Sequence, residues 1–265
     1  MLTIQEQLLY TTLRIECFDA NKQLYSIGTG FLLSRPLDEN REKIYLISNK
    51  HILIGAESIA LTFTHMKDGQ PEHGNSIRFP IDKISSNVVG HPNPDIDVAV
   101  LECTGLFIMF WNQLFIKTVS YDMLSDFTEP ELNIAENVLF VGYPDDRYDK
   151  KNNLPLVRQG LIASHPKYDY NGAPVFIIDA QVFPGSSGSP VYIDLSFENI
   201  KNGQIAFGQK YIKLLGIVSQ TMIRNNQLSA VPVGMQIASQ EVIGLGVVFK
   251  STAIKEIIDT MPINN

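Results

Sequence analysis

Short runs of apolar, β-branched and aromatic residues, broken by turn formers, recur along this chain in two successive series, and no other pattern limits its fold as strongly. The first series occupies 8–17, 26–33, 43–48, 58–64, 76–81 and 97–103; the second occupies 137–143, 156–164, 174–182, 189–193, 209–220 and 245–249. Clusters of Gly, Pro, Asn and Asp separate the runs. Each series can close on itself, so the expected architecture is all-β: two packed six-stranded antiparallel β-barrels over 1–125 and 126–250, together one domain over 1–265. A C-terminal α-helix is expected over 251–261, where Ser251 or Thr252 can cap it and Ile254, Ile257, Ile258 and Met261 form one apolar stripe before Pro262 stops it. The joining stretch 106–133 is apolar and aromatic, with Phe107, Phe110, Trp111 and Phe115, and reads equally as a short helix or a packed loop. The polar stretches 38–43, 145–153 and 224–227 read as exposed loops.

A chain of 265 residues that is 45% hydrophobic and 18% charged can bury a sizeable core. Its formal net charge of -7, with no run of Lys and Arg, argues against nucleic acid and anionic membranes as partners. The first residues lack the basic and apolar segments of a signal peptide, and no later stretch is long enough to span a bilayer. Cys17 and Cys103 are the two cysteines, each inside a strand-like run, so no disulfide framework is expected and a cytoplasmic location is. His65, His73, His91 and His165 show no metal-ligand spacing, Gly28 and Gly30 lack the third glycine of a dinucleotide fingerprint, and the stretch 185–189 lacks a P-loop lysine. No metal and no cofactor is expected.

The stretch Pro184-Gly185-Ser186-Ser187-Gly188-Ser189-Pro190 brackets a serine with glycines directly after an apolar run. A turn would use the same residue types. A nucleophilic serine would need them too, because it requires close backbone approach and N–H donors for the oxygen that becomes negative in acyl transfer. Gly185 and Ser187 are spaced to supply those donors. Such a serine also needs an imidazole and a carboxylate. His51 ends the apolar run 44–48 plus Asn49 and Lys50, after a preceding strand that carries Gly28-Thr29-Gly30-Phe31 and its close-packing glycines. In the run 95–101, alternation puts Asp97 on one face with Ala99 and Leu101, which favours Asp97 over its competitor Asp95 as the buried carboxylate.

Taken together, Gly28 to Phe31, Leu46 to His51, Asp97 to Leu101 and Gly185 to Pro190 resemble the trypsin-like, chymotrypsin-fold serine peptidases, and are nearest in local motif to the intracellular and HtrA-type branch, here without a PDZ domain. The order His, Asp, Ser is that family's order. The resemblance implies a serine endopeptidase with His51, Asp97 and Ser187 as triad and the N–H groups of Gly185 and Ser187 as oxyanion hole. It implies a polypeptide substrate and admits a protein activator or regulator. Such a fold also occurs as a catalytically idle scaffold that binds a partner or peptide in the cleft. Two departures stand out: Ser189 replaces a usual glycine, and Ser186 replaces the aspartate that secreted members pair with a freed N-terminus, so activation by N-terminal cleavage is not expected. The specificity pocket is expected to use Gln181 at its base, Phe183, Ser219, Thr221 as a narrowing wall and Gly246 as an open wall, which implies small or medium uncharged side chains. The insertion 222–243 lies beside it in sequence.

Overall fold

The computed structural model describes residues 2–39, 41–110, 112–195, 200–201, 204–205, 211–230 and 235–262, with side chains described over the same residues except 200–205 and 223–242. Trp111 of the joining stretch therefore lies outside the described residues. Helix α1 (Ile4–Thr11) takes the first half of the run expected as a strand over 8–17. Its cause is local: Thr3 Oγ1 accepts the Glu6 N–H at 3.2 Å while the Glu6 carboxylate accepts the Thr3 N–H at 2.6 Å, a reciprocal capping box that nucleates the first turn.

Strands β1 (Thr12–Phe18), β2 (Leu24–Pro36) and β3 (Glu42–Ser48) follow, then the single turn α2 (Lys50–Leu53) and the hairpin β4 (Ser58–Lys67) and β5 (Gln70–Asp82). The first half ends with β6 (Val88–Gly90), β7 (Ala99–Glu102), α3 (Thr104–Phe110), β8 (Leu114–Phe115) and β9 (Val119–Ser120). These strands form one nine-stranded sheet in the order β5-β4-β1-β2-β3-β7-β6, with β8 on β4 and β9 on β2. The hydrogen-bonded unit thus has nine strands and two free edges where six in a closed ring were expected. Of the three additional strands, β6 lies just before the Asp97 run, and the joining stretch, which also carries most of helix α3, supplies β8 and β9. The sheet still has to curl, because its edges β5 and β6 are joined by only a 3-10 turn at Ile84–Ser86, and a link of so few residues spans at most about 20 Å.

The second half comprises β10 (Asn137–Gly142), β11 (Leu156–Ile162), β12 (Val175–Asp179), β13 (Pro190–Asp194), the small hairpin β14 (Ile200–Lys201) and β15 (Gln204–Ile205), then β16 (Ile212–Ala230), β17 (Met235–Lys250) and α4 (Ser251–Thr260). Here the barrel closes, in the order β10-β11-β12-β17-β16-β13. Residues 224–227, read as an exposed loop, instead pair with 238–241 in the β16–β17 ladder. A ladder is satisfied by backbone groups whatever the side chains, so polarity alone did not exclude a strand.

Period-two alternation explains why the central strands read as unbroken apolar runs: they are buried on both faces. Phe31, Leu33, Tyr45, Ile47 and Val100 face a shared core with Val141, Ile177, Ile217 and the α4 residues Ile254, Ile257 and Ile258, while the intervening Leu32, Leu46 and Leu101 face the interior of the first sheet. Likewise Val175 and Ile177 face the shared core and Phe176 and Ile178 fill the closed barrel. The shared core holds the two sheets face to face, which fixes β2, β3 and β7 against β10, β13 and β16. Among the described residues no helix is long and apolar enough to cross a membrane.

Candidate active site

The glycine-bracketed serine lies on two successive β-turns. Ser186 N–H donates to Phe183 O at 3.0 Å across Pro184-Gly185, and Ser189 N–H donates to Ser186 O at 3.0 Å across Ser187-Gly188. Both glycines take the third position of their turn with φ of +83° and +87°, the left-handed value of a type II turn, which is why they recur at a spacing of three. A type II turn sets its central carbonyl and the following N–H on opposite sides. In the first turn Asp145 N–H holds Pro184 O at 2.7 Å, which turns the Gly185 N–H away from it. In the second, Thr29 N–H of β2 holds Ser187 O at 2.9 Å and Gly188 N–H donates to Val218 O of β16 at 2.8 Å. Among the described residues neither the Gly185 nor the Ser187 N–H donates a hydrogen bond.

Strand β3 delivers His51 onto α2, so the imidazole sits on a helical turn rather than at a strand's end. Its Nδ1 is 2.6 Å from Asp97 Oδ2, and its own N–H donates to Asp97 Oδ1 at 3.1 Å. Ser219 Oγ donates to Asp97 Oδ2 at 2.7 Å, and the buried Asn49 amide donates to Asp97 O at 2.6 Å. Burial pushes the Asp97 carboxyl up, but the bonds from His51 and Ser219 outweigh it and hold the group below the usual carboxylate range. Asp95 is exposed and makes no hydrogen bond to His51 among the described residues. With Nδ1 taken, Nε2 is the ring nitrogen left to face a reacting group, and the His51 side chain is 48% exposed. The Ser187 hydroxyl donates to Ser219 O at 2.8 Å. Ser219 therefore touches both the carboxylate and the serine, a linking position that the sequence reading assigned only to substrate contact.

His51, Asp97, Ser187 and Ser219 line one cleft of about 350 Å³, with Val182, Phe183, Pro184, Gln220 and Thr221 as its other walls. Two pocket expectations need correction. Gln181 is exposed and is not among the cleft-lining side chains; Val182, next to it, turns in and is buried. The wall at Gly246 is not open, because a Cβ built there would meet Val182 Cγ2 at 2.6 Å and Ile178 Cγ1 at 3.1 Å. The causes differ: Gln181 and Val182 lie beyond the end of β12, in an irregular segment that turns Val182 inward, and at Gly246 the same Val182 side chain fills the space a Cβ would take. Thr221 remains a wall residue, and Phe183 lines the cleft while stacking on the Arg158 guanidinium, 5.2 Å from ring centre to carbon. Ser186 is buried, and its hydroxyl has no partner among the described residues. Among the described residues no three His, Cys, Asp or Glu side chains converge to hold a metal ion.

Sequence reasoning missed Thr29, Asn49, Asp145 and Val182. Only for Thr29 was a local signal present, in the flanking glycines.

The chain is similar to the Rv3671c protease of M. tuberculosis in its active form (19% identity, 97% of this chain and 83% of that one covered, TM-score 0.49) and to an inactive-form serine-to-alanine mutant of it (18% identity, 97% and 91%, TM-score 0.47). It is also similar to the scabies mite inactivated protease paralogue S-I1 (15% identity, 96% of this chain and 97% of that one, TM-score 0.50), a likeness of fold alone. No curated protein matches by sequence. The model of the trypsin-like peptidase domain matches residues 28–196, from the glycine pair beside His51 through the whole serine loop to the end of β13. That match takes in more than half the chain and all three residues of the His51, Asp97 and Ser187 cluster, and the chain belongs to the trypsin-like peptidase domain family.

Proposed function

We propose that this protein is a serine endopeptidase in which Ser187 attacks the scissile carbonyl, His51 is the general base and Asp97 orients it. The observation that carries the reading is the Asp97–His51 Nδ1 bond of 2.6 Å in a cleft that also presents Ser187, whose loop carries the Gly185 and Ser187 N–H groups, unengaged among the described residues. The Ser187 hydroxyl leaves Ser219 O, turns to His51 Nε2 and gives up its proton as Oγ bonds to the carbonyl carbon. The carbonyl oxygen, now negative, takes the Gly185 and Ser187 N–H groups. His51 returns the proton to the departing amine, and water then releases the acyl group by the same steps in reverse order. The polypeptide substrate follows from this chemistry.

A fluorophosphonate probe tests the assignment, because it labels only an activated serine. Labelling of the wild type and not of Ser187→Ala is expected. The competing reading, an idle scaffold that binds a partner or peptide in the cleft, is favoured by the Ser187 hydroxyl's bond to Ser219 O in place of His51. An unlabelled wild type would select that reading. The reading includes a reducing, cytoplasmic location, for which the two cysteines, Cys17 and Cys103, are free and buried rather than joined in a disulfide.

Specificity follows from Val182 over Gly246 and from Thr221 opposite: the pocket takes a small or medium uncharged side chain before the cut. A peptide-library profile is expected to disfavour Lys, Arg and Phe there. Val182→Ala should move the preference toward a larger apolar side chain by about tenfold, the discrimination carried by one or two methylenes of pocket depth. An unchanged profile would remove Val182 from the pocket base.

A further inference from the structure

We propose that Thr29 is a positioning residue that keeps the oxyanion site open by pinning the peptide planes on either side of it. The inference rests on the acyl-transfer reading of Ser187 but on different contacts. Thr29 is wholly buried on β2, in the first sheet, yet its bonds reach across to the serine loop of the second half. Its N–H donates to Ser187 O at 2.9 Å, its Oγ1 donates to Gly185 O at 2.7 Å, and the same Oγ1 accepts the Tyr143 N–H at 3.2 Å. Its carbonyl accepts the Ser48 hydroxyl at 2.7 Å.

The direction of the Thr29 hydroxyl is fixed by these partners. An amide N–H can only donate, so toward Tyr143 the hydroxyl must accept, and its one proton is left for Gly185 O. The peptide after Gly185 is thereby held from the first sheet, while the peptide before it is held by Asp145 N–H on Pro184 O. Rotating the Gly185 N–H out of the cleft requires a peptide flip, and a flip breaks at least one of the two bonds and leaves buried groups unpaired. The flanking glycines serve the same end: a Cβ at Gly28 would meet Ile52 Cδ1 at 2.7 Å, and one at Gly30 would meet Ile47 O at 2.9 Å. The bare Gly28 lets β2 lie against the turn that carries His51, and the bare Gly30 lets it lie against β1 and β3, while Thr29 between them projects to the loop.

The test compares Thr29→Val, which keeps the shape and removes the hydroxyl, with Thr29→Ser, which restores it. For Thr29→Val, kcat should fall by about 10²-fold, the effect of losing one oxyanion donor, with KM within about threefold of wild type. Thr29→Ser should recover kcat to within about threefold. Hydrogen exchange at the Ser186 and Ser189 amides, which close the two turns, should quicken in Thr29→Val only, with the rest of the barrel unchanged. Wild-type kcat in Thr29→Val, a Thr29→Ser enzyme as slow as Thr29→Val, or faster exchange throughout both sheets would overturn the proposal. If the wild type is not labelled by fluorophosphonate, the peptidase reading fails, and exchange at Ser186 and Ser189 alone still decides whether Thr29 holds the loop.

Discussion

Replacing Asp97 by Asn is expected to lower kcat by about 10⁴-fold in a protein that still folds, and Asp95→Asn to leave kcat unchanged. Asp97 accepts three hydrogen bonds on its two carboxylate oxygens, from His51 Nδ1, from the His51 backbone N–H and from Ser219 Oγ. An amide has one accepting oxygen and one donating nitrogen. If the nitrogen takes the place of Oδ2, it donates to His51 Nδ1, the ring proton moves to Nε2, and the imidazole then has no lone pair for the Ser187 proton. The fold survives because the backbone bond and the strand β7 do not depend on the charge. The same contacts set the acid limit of the site. Because the folded carboxyl sits below its unfolded value, its contribution is complete above about pH 4 and is lost as pH falls through the lowered folded value. Steady-state kinetics with melting curves on both variants check the assignment: a folded Asp97→Asn enzyme with wild-type kcat, or a 10⁴-fold loss in Asp95→Asn instead, would show that another carboxylate orients His51.

Gly188→Ala is expected to destabilise the protein by about 3 kcal/mol and to remove activity, through two separable causes. The residue has φ of +87°, where a side chain costs about 1–2 kcal/mol. Its Cβ would also lie 1.9 Å from Thr29 O and 2.5 Å from Ser48 Oγ, an overlap with backbone that forces the loop and β2 apart at about 1–3 kcal/mol. At about 2–4 °C per kcal/mol for a domain of this size, the melting point should drop by roughly 10 °C. Gly172→Ala is the control: its φ is +80° and no atom lies within 4 Å of the added Cβ, so it pays the backbone term alone and leaves activity unchanged. Equal melting-point losses in the two variants would mean that the contact between the serine loop and β2 is not as tight as the geometry requires.

Much of the fold was legible in the sequence because it follows from local rules. Period-two burial on both faces makes the central strands unbroken apolar runs, and the stripe Ile254, Ile257, Ile258 marks α4. The turn pair around Ser187 was legible for the same reason, since a left-handed φ at the third position calls for glycine. The capping box of α1 was equally local and went unread, because Leu8 to Cys17 also satisfies a strand pattern. The two extra short strands at the joint, and the free edges of the first sheet, depend on which segments meet across the sheet and left no periodic mark.

The sequence by itself determined which residue types were present for acyl transfer and in what order, because each lies in a short segment whose turn or strand geometry is set by its neighbours in the chain. Only the tertiary structure decided that Val182 and not Gln181 lines the cleft, and that Thr29 braces a loop 156 positions away. Those outcomes turn on how the irregular segment after β12 folds back and on how the two sheets meet across their shared core, contacts between distant segments that no local pattern in the chain records.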